Sequence, residues 1–66
     1  MSTHLTALIR KARHAIADLQ VAIAEGFDDE MIEEFGDIAD DLIDEVSALD
    51  IAAGARLSAS IATLAA

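Results

Sequence analysis

The sequence predicts an all-α fold, an antiparallel helical hairpin with a third C-terminal helix packed as a small three-helix bundle. Three observations predict it. The chain has no Pro, Trp or Tyr and its apolar fraction is dominated by Ala, Leu and Ile, a mixture that favours helices over strands. Its apolar residues recur at steps of three and four along two long stretches, the repeat of a buried helix stripe. Between those stretches, Gly26-Phe27-Asp28 combines a helix stop with a helix start.

The first helix is expected over residues 3–25. Leu5, Leu8, Ala12, Ile16, Leu19 and Ile23 form one stripe, with Ile9, Ile16 and Ile23 recurring every seven residues beside it. Ser2 or Thr3 would cap its start. Arg10, Lys11, Arg13 and His14 cluster in its middle, away from much of the stripe.

Gly26 then stands where a helix C-cap needs a left-handed residue without strain. Asp28 is placed to cap the next helix, and Asp29 and Glu30 complement its positive N-terminal dipole. Phe27 precedes the cap and is spaced to staple to Ile32. A tight helical hairpin follows.

The second helix is expected over residues 28–49. Ile32, Phe35, Ala39, Leu42, Val46 and Leu49 make its apolar stripe, within an arc of roughly 100°. Folding the chain back about Phe27 sets Ile23 against Ile32, Leu19 against Phe35 and Ile16 against Ala39. Ala12 then faces Leu42, Ile9 faces Val46, and Leu5 faces Leu49. The same register brings Arg10 near Asp44 and Arg13 near Asp41, exposed pairs worth about 0–1 kcal/mol each.

A third helix is expected over residues 51–64. Asp50 can cap it alone or as part of Ser47-x-x-Asp50, and Ile51, Leu57, Ile61 and Leu64 supply an apolar face. A continuous second helix is the alternative, since Leu49, Ala53, Leu57, Ile61 and Leu64 keep a helical step. Gly54, which costs about 1 kcal/mol inside a helix relative to Ala, favours a bend. Gly54, Ser58 and Ala62 form a small-residue ridge that would admit another helix closely.

Sixty-six residues make one domain, 1–66, near the lower size limit for a fold held by its core alone. Without Cys neither disulfides nor thiolate metal sites assist it, and the redox compartment stays open. The N-terminus has no positive region followed by an apolar run, so no secretory signal is expected. The Ala-rich tail is interrupted by Arg56 and two serines and is too short to span a bilayer. A cytoplasmic protein is the simplest expectation.

No catalytic motif is present. His4 and His14 fit neither His-Glu-x-x-His nor the Glu-x-x-His of di-iron bundles, and a surface pairing of His14 with Asp18 is favoured over a metal site. The acidic run lacks EF-hand spacing. Ser58 and Ser60 have no base nearby in sequence. Carboxylates on a solvated convex helix are poorly placed for acid–base work. The expectation is a non-enzyme without metal or cofactor. Helical spacing also favours Phe27 and Phe35 as core and staple rather than as a binding hot spot.

The informative feature is charge. Thirteen acidic residues against four basic ones give a net charge of −9, which disfavours direct binding to DNA, RNA or anionic membranes. Glu30, Glu33, Glu34, Asp37, Asp40, Asp41, Asp44 and Glu45 all fall on the side of the second helix opposite its apolar stripe. An ordinary solvated surface is one account of this face. Two facts favour a partner. Six like-charge pairs stand at i,i+4, each destabilising by roughly 0.2–0.5 kcal/mol, which interleaved lysines would have avoided. Ten carboxylates over residues 28–45 span ~26 Å of helix, about one charge per 2.6 Å, approaching the one per ~1.7 Å of duplex DNA.

In size, charge and the run EGFDDEMIEEFGDIADDLIDE, the chain resembles small acidic phage-encoded anti-CRISPR and anti-restriction proteins that mimic DNA. The resemblance covers about a third of the chain and implies no cofactor. It implies blocking of a nuclease or a CRISPR surveillance complex at its DNA-binding surface, the partner being a basic DNA-binding protein or complex. The departure is the basic cluster at Arg10, Lys11 and Arg13, which would have to face away from such a surface or be neutralised at it. The alternative is an interaction module or small regulator that dimerises as a four-helix bundle through exposed parts of Leu57, Ile61 and Leu64. Monomer and homodimer both stay open. An RNA-binding hairpin using Arg10, Lys11 and Arg13 ranks third, against the overall field.

Overall fold

A computed structural model of the protein describes residues 3–65, all helix apart from two short connections: α1 (Thr3–Ala24), α2 (Asp29–Leu49) and α3 (Ile51–Ala65). They pack as a small three-helix bundle, and no strand occurs among the described residues. Ser2, an expected cap of the first helix, lies outside them.

The first connection is closed as the sequence requires. Gly26 has φ +73°, a left-handed conformation that a side chain would strain. Its N–H donates to the Ile23 carbonyl at 3.2 Å and the Phe27 N–H donates to the Ala22 carbonyl at 3.0 Å, so two orphan carbonyls of α1 are satisfied. Asp28 is extended, at φ −66° and ψ 161°, and its Oδ1 accepts from the Met31 N–H at 3.0 Å. The Phe27 ring, expected to staple to Ile32, meets the Phe35 ring, centroids 6.3 Å apart and tilted by 44°, an aromatic contact two turns into α2, and it stays 38% exposed rather than entering the core.

The second connection is one residue long. Asp50 is extended, its N–H donates to the Val46 carbonyl at 2.7 Å, and its Oδ1 accepts from the Ala53 N–H at 3.1 Å. Asp50 thus ends α2 and starts α3, and the continuous-helix alternative is excluded. Gly54 has a tertiary role rather than only a bending one. A Cβ there would overlap the Ser47 Oγ and stand 2.8 Å from its Cβ and 2.9 Å from its Cα. Only a hydrogen lets α3 turn back this closely along α2.

The core is thin and rich in alanine. Leu8, Ala12, Ala15, Ile16, Ala39, Ile43, Val46, Ala53 and Leu57 form its main cluster, with Leu5, Ile9, Leu42, Ile61 and Leu64 packed on the rim. Two parts of the sequence-derived ladder need correction. Its ends are not sealed, since Ile23 and Leu49 are 42% and 55% exposed. The buried sector of α2 is also rotated towards Ile43, absent from the expected stripe. The cause is α3, which packs at the Ser47 side and draws that flank inward, leaving Phe35 and Leu42 half-buried. On α1, Ala15 and Ala22 are buried as well.

Leu57 is buried and Ile61 and Leu64 are half-buried against the core. The surface expected of them as a dimer joint is therefore used inside the chain. The molecule measures 37 × 19 × 14 Å. Its long axis matches α1 at ~1.5 Å per residue, and the shorter α3 covers only part of that length.

Candidate partner-binding face

The acidic face is built by the same residues that fold α2. Asp28 fixes the helix start, and Ala39, Ile43 and Val46 anchor one side in the core. That orientation turns every carboxylate expected at the face outward. Glu30, Glu33, Glu34, Asp37, Asp40, Asp41, Asp44 and Glu45 are all exposed. Asp29 and Glu30 lie in the first turn of α2, where the helix dipole favours them, while its last turn carries no basic residue.

Among the described residues, no ion pair joins an α1 cation to this face. Arg13 is turned towards α3 rather than α2. With Arg56 it lines a groove floored by Ile9, Ile16, Ala53 and Leu57. Arg10 and Arg13 border a second groove beside Thr6 and Ile9. Neither groove includes an α2 residue. The expected pairs of Arg10 with Asp44 and Arg13 with Asp41 do not form among the described residues; Arg13 instead lines the groove between α1 and α3. The molecule therefore presents acid along α2, and Arg13 and Arg56 together on the α1–α3 side.

The remaining candidates have local roles. The Ser60 hydroxyl donates to the Arg56 carbonyl at 3.2 Å, an intrahelical bond that occupies its proton. Ser58, His4, His14 and Asp18 are exposed. Among the described residues, no group of three or more His, Cys, Asp or Glu could hold a metal ion. No helix of the described residues is long and apolar enough to cross a membrane. Chemically, the acidic face can accept charge-assisted hydrogen bonds from Arg and Lys of a partner.

The sequence reading missed one surface residue of consequence, Ile38, which is 54% exposed on α2. Its signal was present: Met31, Phe35, Ile38 and Leu42 step by four, three and four beside the core stripe. Compared with protein-family models, curated proteins and solved structures, the chain has no match.

Proposed function

We propose that this protein is an acidic protein-binding inhibitor of the anti-CRISPR or anti-restriction kind, a non-enzyme acting in the cytoplasm of a host bacterium. Its α2 carboxylates mimic the phosphates of DNA and occupy the basic DNA-binding channel of a nuclease or CRISPR surveillance complex. The observation that carries this reading is the exposure of eight carboxylates along one face of one capped helix, with no basic residue between Arg13 and Arg56.

Three physical points support it. A helix anchored by the Gly26–Asp28 turn and by Val46 is stiff, so its charges are ordered before binding and the entropic cost of association falls. Six repulsive i,i+4 pairs are retained although they cost stability. Arg10 and Arg13 lie along grooves that no α2 residue lines, which supports a basic cluster that faces away from a basic target or is neutralised there. No cofactor takes part in such binding.

The test is charge reversal in a folded protein. Lysines in place of Glu33, Glu34, Asp37, Asp40, Asp41 and Asp44 abolish capture of a DNA-handling enzyme from host lysate, while the helical circular-dichroism signal survives. Excess duplex DNA elutes the captured enzyme from the wild-type protein. Unchanged capture by the folded lysine variant would refute the mimicry.

A further inference from the structure

The groove between α1 and α3 plays no part in the acidic face, yet it gathers most of the chain's positive charge. It has a volume of about 190 Å³, with Arg13 of α1 and Arg56 of α3 both lining it. The groove beside Thr6 adjoins it through the shared residues Ile9 and Arg13, and adds Arg10. Three of the four basic residues of a chain with net charge −9 therefore border one depression. Among the described residues, neither Arg13 nor Arg56 takes part in an ion pair, although the chain carries thirteen acidic residues. The floor between the two arginines is apolar, formed by half-buried Ile9 and by buried Ile16 and Leu57.

We propose that this groove binds a small oxyanion with an apolar tail, a carboxylate or phosphate head on a short hydrocarbon chain. Two like charges brought to one groove by different helices repel each other. An oxyanion between them turns that repulsion into two charge-assisted contacts, and a guanidinium fork matches a carboxylate or phosphate oxygen pair. The guanidiniums are the donors. The Ser60 hydroxyl, also at the groove, already gives its proton to the Arg56 carbonyl. The Ile9, Ile16 and Leu57 floor calls for a hydrocarbon portion beside the head, since bare inorganic phosphate would leave that surface wet. Size limits the tail. The groove is smaller than the roughly 300–1,000 Å³ of sites for drug-sized ligands, so the occupant is a head group and a few carbons. The overall negative field does not forbid this, because no α2 residue lines the groove. At about 0.15 M salt, charges more than ~8 Å away are largely screened.

The experiment is a magnetic-resonance titration of the isotope-labelled full chain at that ionic strength, with hexanoate, hexyl phosphate, hexanol and inorganic phosphate as probes. Saturable shifts are expected with hexanoate or hexyl phosphate, centred on the groove residues of α1 and α3 and absent from α2. The tighter of the two identifies the head. Hexanol and inorganic phosphate, each lacking half of the ligand, are expected to bind more weakly. Arg13→Gln and Arg56→Gln each weaken binding about tenfold or more, as loss of a hydrogen bond to a charged group does. Both side chains are exposed, so the helical signal is expected to persist in these variants. Lys11→Gln removes the same charge from an exposed position of α1 outside both grooves, and leaves affinity unchanged. If the arginine stems only shelter the floor from water, neither tailed anion produces saturable shifts, and the proposal is overturned. It is equally overturned if Lys11→Gln weakens binding as much as the groove variants, or if inorganic phosphate binds as tightly as hexyl phosphate.

Discussion

Two glycines inside helices have opposite jobs, and alanine tells them apart. A Cβ on Gly36 meets nothing within 4 Å, whereas on Gly54 it runs into Ser47. Gly36→Ala therefore gains about 1 kcal/mol of helix propensity, raising the thermal midpoint by roughly 4–8 °C. Gly54→Ala gains the same propensity but incurs an overpacking cost of about 1–3 kcal/mol, and its midpoint falls. Thermal melts of the two variants beside wild type check both signs. Gly54 also shows where sequence reasoning stops. Its helix-weakening character was legible, but the atom that demands it, on Ser47 seven residues earlier, is visible only once α3 has turned back.

At the scale of elements, α2 is the informative one. Its start, cap and acidic face were legible because they depend on neighbours within four residues: Asp28 on Met31, and one carboxylate on the next. Its buried sector was legible only in part, since the choice of Ile43 over Leu49 depends on where another helix lands. The same holds for Arg13, whose placement against Arg56 is set by α3. Screening follows from the charge pattern. Raising ionic strength from about 0.01 M to 0.15 M shortens the Debye length from ~30 Å to ~8 Å. The repulsion among the six like-charge pairs, on the order of 1–3 kcal/mol in all, is then partly relieved. Urea midpoints are expected to rise with salt over this range. A midpoint that is flat or falling would show that the face does not strain its helix.

For the whole molecule, the balance between core and surface decides behaviour. Among the described residues, Val46 is the only large side chain that is fully buried, and five of the eleven buried apolar residues are alanines. Alanine permits close helix approach but removes little apolar area from water. A 14 Å thick body of this composition keeps a substantial share of its leucine and isoleucine surface at its margins. Met31, Ile38 and Leu49 of α2 are examples, 42%, 54% and 55% exposed.

The single-residue joint at Asp50 has a consequence for motion. Among the described residues, α3 contributes only Ala53, Gly54 and Leu57 to the buried set, and it packs less extensively against α1 than α2 does. With so little holding it, α3 can swing out on Asp50 while the α1–α2 hairpin stays closed, a sub-global opening rather than unfolding. In native-state hydrogen exchange, amides over residues 57–64 are expected to exchange well before those over 8–19 and 39–46. Equal protection throughout would mean that the three helices open as one unit. Each opening bares the Arg13 and Arg56 walls and the Ile9–Ile16 floor together, so the basic side would breathe on a timescale that the rigid acidic side does not share.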